Sequence, residues 1–523
     1  MPTDARIPRA DPHAATRHGD RVPAPSRVRG QRAQWLHRLP WLPVGLALAW
    51  VASLLARSLG WPLVNDACMN HYVGWQIAEG ATPYRDVFDF QFPGTLFLHA
   101  AIVRLFGAGD AVWRAFDLAW LGAACWLCVR FHRRSPGWVA GASAALYAQW
   151  HLALGPWNTG QRDFIQAVLL LGCALAAANA IEGRRPERNL LLAGLAAGAA
   201  AAIKPQAILF ALLLAPLVAW TIRGRRVACL SRFAAGFAAP LLALAIWLAW
   251  TGGLSSFVET VRDYLIPLHP RMDRLPPGRI ALSWITNPFS LPLLLLGLVA
   301  LARAAWTRVE IQRRLILFAG CVYGVAHLAL QAKGWSYHFE PAALFLCALA
   351  PTALEPFRGR RVWLGTALLA LAGALVLRAF VVVAPRAVSQ IDHGATRHNR
   401  AIVAAAMADI RELAPAARRV QVYDAGIAGI ETLLRLRLRQ SARFVYNHPL
   451  LVAPESATTQ ALRAEFLADL RRTPPDLLLV FGYSAETGRC ANLGSFPEFA
   501  ALIDTEYRLV RDRGHFRVFA PRP

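Results

Sequence analysis

Residues 41 to 61, WLPVGLALAWVASLLARSLGW, form the first long apolar run of the chain. A bilayer core of about 30 Å is crossed by about 20 helical residues, so the run is long enough for one span. It is too long for the apolar part of a signal peptide, and no convincing cleavage site follows it. We therefore expect a retained signal anchor, which is the first transmembrane helix.

Comparable apolar runs recur as far as residue 384. They lie near 110–130, 136–155, 164–181, 190–203, 206–221, 233–250, 289–306, 314–331, 341–355 and 362–384. Together with the first run they predict about eleven transmembrane helices. Within 190–221, Lys204-Pro205 separates two short halves, so this region is either two short helices or one kinked helix.

The composition excludes an ordinary soluble enzyme. Of 523 residues, 56% are apolar and only 17% are charged, which is typical of a membrane protein. The formal net charge of +24 would suggest nucleic acid in a soluble chain, but in a membrane chain it is interpreted loop by loop. We expect a bilayer partner and no nucleic acid.

The arginines test this threading, because loops that remain in the cytoplasm are enriched in Lys and Arg. They cluster in alternate short loops: Arg130, Arg133 and Arg134; Arg184, Arg185 and Arg188; Arg223, Arg225 and Arg226; Arg303, Arg308, Arg313 and Arg314; Arg358, Arg360 and Arg361. These loops and the basic tail 1–40, which we expect to be disordered, are predicted to be cytoplasmic. The intervening loops, including 62–109, and everything after residue 385 then face the opposite side.

The end of the chain has a different character. Strand-like runs at 419–423, 476–481 and 516–519 alternate with helix-like stretches at 397–413, 425–439 and 456–472. This alternation predicts a small α/β domain with a short sheet. The predicted organisation is a tail at 1–40, a transmembrane domain at 41–390 and an α/β domain at 391–523.

The long loop 62–109 carries the first candidate catalytic residue. Asp66 directly follows the first span and precedes an amphipathic stretch that ends at Gly80, which predicts an interfacial helix. The simplest role for Asp66 is to cap that helix by accepting backbone N–H bonds. A carboxylate at the membrane boundary is also suited to take a proton from a hydroxyl, and the two roles do not exclude each other.

Further polar residues lie at the outer span ends. They are Arg114, Arg162, Asp163, Lys204, Lys333, Trp335, Tyr337 and His338, and the only two lysines of the chain are among them. Taken singly, the cations are explained by snorkelling, the aromatic residues by interfacial anchoring and His338 by packing. Their shared depth and side favour one site, because ionisable groups at membrane depth are costly and usually face an interior cavity.

A carboxylate, several cations and amphipathic helices at one membrane face suit a phosphorylated lipid. When a sugar leaves a polyprenyl phosphate, negative charge builds on the departing phosphate, and fixed Lys or Arg side chains would stabilise it. A carboxylate would deprotonate the acceptor. Because phosphate leaves readily, one base is sufficient where a glycoside hydrolase needs a pair of carboxyl groups.

With these residues in place, the chain resembles the C-type superfamily of membrane glycosyltransferases, in the branch of bacterial family 39 and the lipid A aminoarabinose transferases. The resemblance covers most of the chain and depends on order and spacing. It rests on the first span followed by Asn65-Asp66, Gly80-Ala81-Thr82-Pro83-Tyr84-Arg85-Asp86, Phe92-Pro93-Gly94, Leu105-Phe106-Gly107, Arg114, Gln161-Arg162-Asp163, the run Lys333-Gly334-Trp335-Ser336-Tyr337-His338 and the trailing α/β domain.

The resemblance implies an inverting hexosyl- or pentosyltransferase in the bacterial inner membrane. It would take a sugar from a polyprenyl-phosphate donor and transfer it to a glycan, lipid or protein acceptor at the periplasmic face, with Asp66 as the base and Asp163 as a second acidic residue. Domain 41–390 would then be catalytic and domain 391–523 periplasmic. No cofactor is required by the resemblance; some superfamily members use a divalent ion, and this branch mostly does not.

The resemblance also bears on substrate binding. Family members often have Lys-Pro-Pro where this chain has Gln91-Phe92-Pro93, and that lysine is expected to contact the lipid phosphate. We expect Lys204, Lys333 or Arg85 to replace it here. The remaining candidate substrate-binding residues are Asp86, Asp89, Gln91, Arg114, Arg162, Tyr337 and His338.

Two other function classes remain open at this point, a membrane transporter and a non-catalytic envelope assembly protein. A transporter is expected to show internal repeats or broken spans in matching halves, and only one break, at Lys204-Pro205, is found in the sequence. An envelope scaffold would explain the outer domain, but it would not explain the acidic loop.

Overall fold

The structure is a computed structural model that describes residues 41–222, 224–287, 289–355, 394–424, 428–482 and 490–523. The predicted basic tail 1–40 and the predicted span 362–384 lie outside the described residues. The other ten predicted apolar runs all coincide with helices, so the prediction of a polytopic α-helical membrane protein is confirmed.

The membrane part consists of fourteen α-helices within the described residues. These are α1 Trp41–Ser58, α2 Asn65–Ala78, α3 Pro93–Phe106, α4 Asp110–Phe131, α5 Gly137–Ala153, α6 Arg162–Ile181, α7 Pro186–Ile203, α8 Ile208–Thr221, α9 Arg226–Thr251, α10 Leu254–Thr260, α11 Pro277–Thr286, α12 Ser290–Thr307, α13 Ile311–Gln331 and α14 Glu340–Leu349. Six of them, α1, α4, α6, α9, α12 and α13, are at least 18 residues long and apolar enough to cross a membrane.

The ambiguous region 190–221 forms two helices. Lys204 is extended, with φ −143° and ψ 117°, because the ring of the following proline disfavours helical backbone in the residue before it. A short 3₁₀ turn, Pro205–Ala207, then leads into α8. The chain therefore reverses at Lys204, and this places the lysine at the end of a span.

Small residues bring α7 and α9 into close contact. A Cβ atom added at Gly194 would lie 2.1 Å from the Phe233 carbonyl oxygen, and one at Gly198 would lie 2.2 Å from that of Phe237. Both distances are too short for any side chain, so the two helices pack backbone to backbone. The spacing of four residues is that of the small-residue motif of membrane helix pairs.

The C-terminal part is the predicted α/β unit. It contains α15 Gly394–Leu413, β1 Val420–Tyr423, α16 Gly429–Leu436, α17 His448–Leu451, α18 Ala457–Arg472, β2 Leu477–Phe481, α19 Ala491–Gly494, α20 Pro497–Glu506, β3 Tyr507–Asp512 and β4 Phe516–Pro521. The sheet order is β1-β2-β4-β3; β1 and β2 are parallel and the other pairs antiparallel. Strand β3 was not predicted from the sequence.

The loop after α1 and the C-terminal domain are built as one unit. Buried side chains from 63–113 and from 403–519 belong to a single hydrophobic core. The Phe88 amide donates to the Arg443 carbonyl at 2.8 Å, and the Tyr72 hydroxyl donates to the Leu438 carbonyl at 3.0 Å. An ion pair of 3.0 Å between Arg435 and Asp110 lies at the edge of this contact. The domain is thereby fixed against the span ends that this loop joins.

Candidate active site

A cavity of about 770 Å³ lies where span ends meet the C-terminal domain. Its walls come from segments that are distant in sequence. Its polar lining includes Asp66, Gln91, Asn158, Arg162, Lys204, Gln206, His269, Gln331, Lys333, Ser336, Tyr337, His338, Tyr446 and His448. Seven of the predicted site residues therefore meet in one cavity: Asp66, Gln91, Arg162, Lys204, Lys333, Tyr337 and His338.

Asp66 lies in the first turn of α2 and lines this cavity. The predicted capping role is wrong: Val64 is the N-cap residue, and no side chain makes a capping hydrogen bond there. One carboxylate oxygen of Asp66 lies 3.7 Å from a guanidinium nitrogen of Arg162, and the Asp66 side chain is 17% exposed. Burial, together with the negative charge of Asp66, raises the pKa of the Tyr337 hydroxyl well above its usual value. The carboxylate thus faces a chamber that a substrate can enter.

Lys204 lines the cavity, but a buried carboxylate that does not line the cavity neutralises its charge. Its Nζ lies 2.8 and 2.9 Å from the two carboxylate oxygens of Asp163. Asp163 is fully buried and does not line the cavity, and His327 Nε2 lies 2.6 Å from its Oδ1. Lys204 therefore holds a buried carboxylate in place and offers little net charge to a ligand.

Lys333 is differently placed. Its Nζ lies 3.3 Å from His269 Nε2 and 4.9 Å from the centre of the Trp335 ring. Within the described part of the chain, no carboxylate lies within 4 Å of this ammonium. Burial, reinforced by the charge of Arg162, lowers the pKa of Lys333 to about 8. Burial and the neighbouring ammonium also lower the pKa of His269, to about 3, so His269 is neutral and can accept a hydrogen bond from Lys333.

The turn that carries Arg162 is positioned from inside the bundle. The Gly160 amide donates to Asp117 Oδ1 at 2.6 Å, and His151 joins the same oxygen to Glu340. Gly160 has φ +57°, and a Cβ there would lie 2.1 Å from the Trp113 ring, so only glycine fits. This buried Asp–His–Glu network fixes the approach of Arg162 to the cavity.

The structure does not bring the other predicted residues into the cavity. Arg85 and Asp86 form an exposed ion pair of 2.8 Å with each other. Asp89 is buried behind the wall, where its Oδ1 accepts from the Gln91 amide at 2.8 Å, and burial raises its pKa to about 6. Arg114 is buried in the bundle, where Asp117 and Ser58 accept its hydrogen bonds.

Several cavity residues were not singled out from the sequence. His269 follows the predicted span 233–250 in a long polar loop, and Tyr446 and His448 come from the C-terminal domain. His269 lies in residues 251–288, a loop that the arginine pattern predicts on the same side of the membrane as Asp66, and this predicted side was a usable signal. No sequence signal links Tyr446 and His448 to Asp66, because they meet only after the domain has docked.

Comparison with known proteins gives matches in structure only. No protein family profile matches the sequence, and no curated protein matches it in sequence either. Among solved structures, ArnT from Cupriavidus metallidurans in the apo state has a TM-score of 0.55 at 14% identity, covering 91% of this chain and 97% of that one. The chain has the fold of the C-type glycosyltransferases.

Two further structures with this fold agree. The archaeal oligosaccharyltransferase AglB from Archaeoglobus fulgidus, in complex with an inhibitory peptide and a dolichol-phosphate, has a TM-score of 0.50 at 10% identity, covering 92% of this chain and 75% of that one. The arabinofuranosyltransferase AftD from Mycobacteria has a TM-score of 0.52 at 14% identity, covering 91% and 41%. The resemblance inferred from the sequence is thus confirmed at the level of the C-type fold.

Proposed function

We propose that the protein is an inverting glycosyltransferase that moves a sugar from a polyprenyl-phosphate donor to a glycan, lipid or protein acceptor at the periplasmic face of the inner membrane. The observation that carries this proposal is the cavity that combines Asp66 with Arg162 and Lys333 at the ends of membrane spans. The dolichol-phosphate in the AglB structure supports a lipid phosphate as the donor group.

The proposed reaction is a single displacement. An acceptor hydroxyl attacks the anomeric carbon of the sugar, its proton passes to the Asp66 carboxylate, and the bond between that carbon and the phosphate oxygen breaks. The bonding electrons remain on the departing phosphate, whose charge Lys333 and Arg162 stabilise. One displacement inverts the configuration at the anomeric carbon, and one base is sufficient because the phosphate needs no proton to leave.

The basic residues have different roles in this proposal. Lys333 is the main phosphate anchor because no described carboxylate neutralises it, and Arg162 serves both the phosphate and Asp66. Lys204 acts through Asp163, which it holds below the cavity floor. Arg85, the third phosphate candidate, is assigned no role because it lies in the exposed pair with Asp86.

Within the described residues, no group of three or more His, Cys, Asp or Glu side chains is arranged to hold a metal ion.

The test is complementation of a strain that lacks the gene. Mass spectrometry of its envelope glycans and lipids identifies the missing sugar, and transfer is then measured for Asp66→Asn and for Asp86→Asn as the matched control. We expect Asp66→Asn to lower the rate by about 10²- to 10⁴-fold, the usual contribution of a general base, and Asp86→Asn to have little effect because it lies on the surface. Full activity of an inserted, folded Asp66→Asn protein would refute the assignment.

A further inference from the structure

A second pocket, of about 310 Å³, lies at the opposite end of the same helices. Helix α6 begins at Arg162 in the first cavity and ends at Ile181 beside the second pocket; α13 begins beside the second pocket and ends at Gln331 in the first. Helices of 20 and 21 residues separate the two sites by about 30 Å at 1.5 Å per residue. The second pocket is therefore a separate site near the other membrane surface.

Positive charge is in excess at this pocket. A single carboxylate, that of Glu182, is in ionic contact with Arg133 at 2.6 Å, Arg134 at 3.0 Å, Arg184 at 3.4 Å and Arg313. Arg308 and Glu310 also line the pocket, and burial raises the pKa of the Glu310 carboxyl. Three guanidinium groups therefore line the pocket and two more contact Glu182 from beside it, against two carboxylates, those of Glu182 and Glu310.

One of these arginines has unused hydrogen-bonding capacity. The Arg313 side chain is only 5% exposed; its Nε donates to Glu182 and its Nη1 to the Phe131 carbonyl. Its Nη2 has no hydrogen-bond partner among the described residues. A buried guanidinium nitrogen without an acceptor is costly, and a phosphate oxygen would satisfy it, since guanidinium binds phosphate through paired hydrogen bonds.

Apart from Gln312, the rest of the lining is apolar. Ala178, Ile181, Ile311 and Ile316 border the basic groups, at the depth where a span leaves the hydrocarbon region and phospholipid head groups lie. Ile181 and Ile311 are partly exposed, whereas Ala178 and Ile316 are buried. A free phosphate would gain nothing from the two isoleucines, whereas a lipid would place its acyl chains against them. Basic pockets between transmembrane helices are a known type of site for anionic head groups.

We propose that this pocket, lined by Arg134, Arg308 and Arg313, binds the phosphate of an acidic phospholipid. The lipid neutralises the excess charge at the junction of α4, α6 and α13. Because these helices also carry the first cavity, such a lipid stabilises the bundle from the membrane surface opposite the proposed catalytic site.

The test uses the full-length protein in a neutral detergent and titrates short-chain phosphatidylglycerol, short-chain phosphatidylcholine and glycerol phosphate, with thermal unfolding as the measurement. We compare wild type with Arg134→Gln/Arg308→Gln, and with Arg308→Gln alone, which breaks no ion pair among the described residues. The matched control is Arg225→Gln/Arg226→Gln, which removes the same charge at an exposed site of the same end.

We expect phosphatidylglycerol alone to stabilise the wild type. Its affinity should fall about fivefold for each pocket arginine removed, the factor that corresponds to about 1 kcal/mol per cation near an anionic head group, and should be nearly unchanged in the control. An equal loss in the control would show general surface attraction and overturn the pocket. Equal stabilisation by glycerol phosphate would show a soluble anion and overturn the lipid.

Discussion

Replacement of Lys204 by methionine should destabilise the protein far more than the same change at Lys333. The Lys204 ammonium lies 2.8 Å from an Asp163 carboxylate oxygen, and the two side chains are 7% and 0% exposed. Removal of one partner leaves a buried charge without compensation, which costs about 3 to 5 kcal/mol. Lys333 has no described carboxylate within 4 Å, so Lys333→Met should cost less than about 1 kcal/mol.

The assay is unfolding in mixed micelles, followed by the loss of helix signal as a denaturing detergent is added. A double-mutant cycle with Asp163→Asn isolates the pair. We expect Lys204→Met/Asp163→Asn to lose less stability than the sum of the two single variants, because both buried charges are then gone. If Lys204→Met is no less stable than Lys333→Met, or if the two changes at Lys204 and Asp163 are additive, the buried ion pair does not have the assigned role.

Three further outcomes are expected. Since burial lowers the pKa of Lys333 to about 8, binding of a polyprenyl phosphate should weaken as pH rises above 8, and Lys333→Arg should remove this dependence in a binding titration between pH 7 and 10. Gly194→Ala should cost about 1 to 3 kcal/mol through overpacking, because its Cβ would meet the Phe233 carbonyl, whereas Gly122→Ala, with open space around it, should be neutral; thermal unfolding of both variants decides. The folded-state pKa of Asp89, about 6, lies above its unfolded value of about 3.9. The folded protein therefore binds a proton that the unfolded chain has lost, and this contribution to stability disappears as pH rises from about 4 to about 6. The stability of Asp89→Asn, measured by unfolding at each pH, should not fall over this range, and the same pH profile as wild type would contradict the assignment.

The membrane fold was largely predictable from the sequence because each span is a long apolar run. Strand β2 was also predictable, because its five residues Leu477–Phe481 are all apolar and all buried. Strand β3, Tyr507–Asp512, was missed because it carries Arg508 and Asp512 on exposed positions and Arg511 on a half-buried one, so it has no apolar alternation to detect. Charged residues of this kind are typical of edge strands.

The candidate site was predictable where residues lie at span ends on one predicted side of the membrane. Membrane topology alone brings Arg162, Lys204 and Lys333 to one surface, and the cavity contains all three. Topology does not separate cavity residues from residues paired inside the bundle. For Arg114 a signal was available, because Asp117 lies three residues later on the same helix face and accepts its hydrogen bond.

The capping prediction for Asp66 failed for a local reason. Asn65 and Asp66 are adjacent, and the sequence does not decide which residue begins the helix. In the structure the helix begins at Asn65, so Asp66 falls in the first turn, where the positive end of the helix dipole still favours a carboxylate. Its side chain then faces the cavity instead of its own backbone.

The hydrogen bond between Tyr72 and Leu438 joins residues 366 positions apart in the chain, and this has a consequence for biogenesis. The ribosome adds about 5 to 20 residues per second, so Tyr72 is made tens of seconds before its partner Leu438. We expect a nascent chain that ends before residue 438 to remain open to protease at 62–109, and pulse-labelling with timed digestion would show when protection begins. A premature stop codon between codons 391 and 438 should therefore yield an inserted polypeptide that lacks this contact and is inactive.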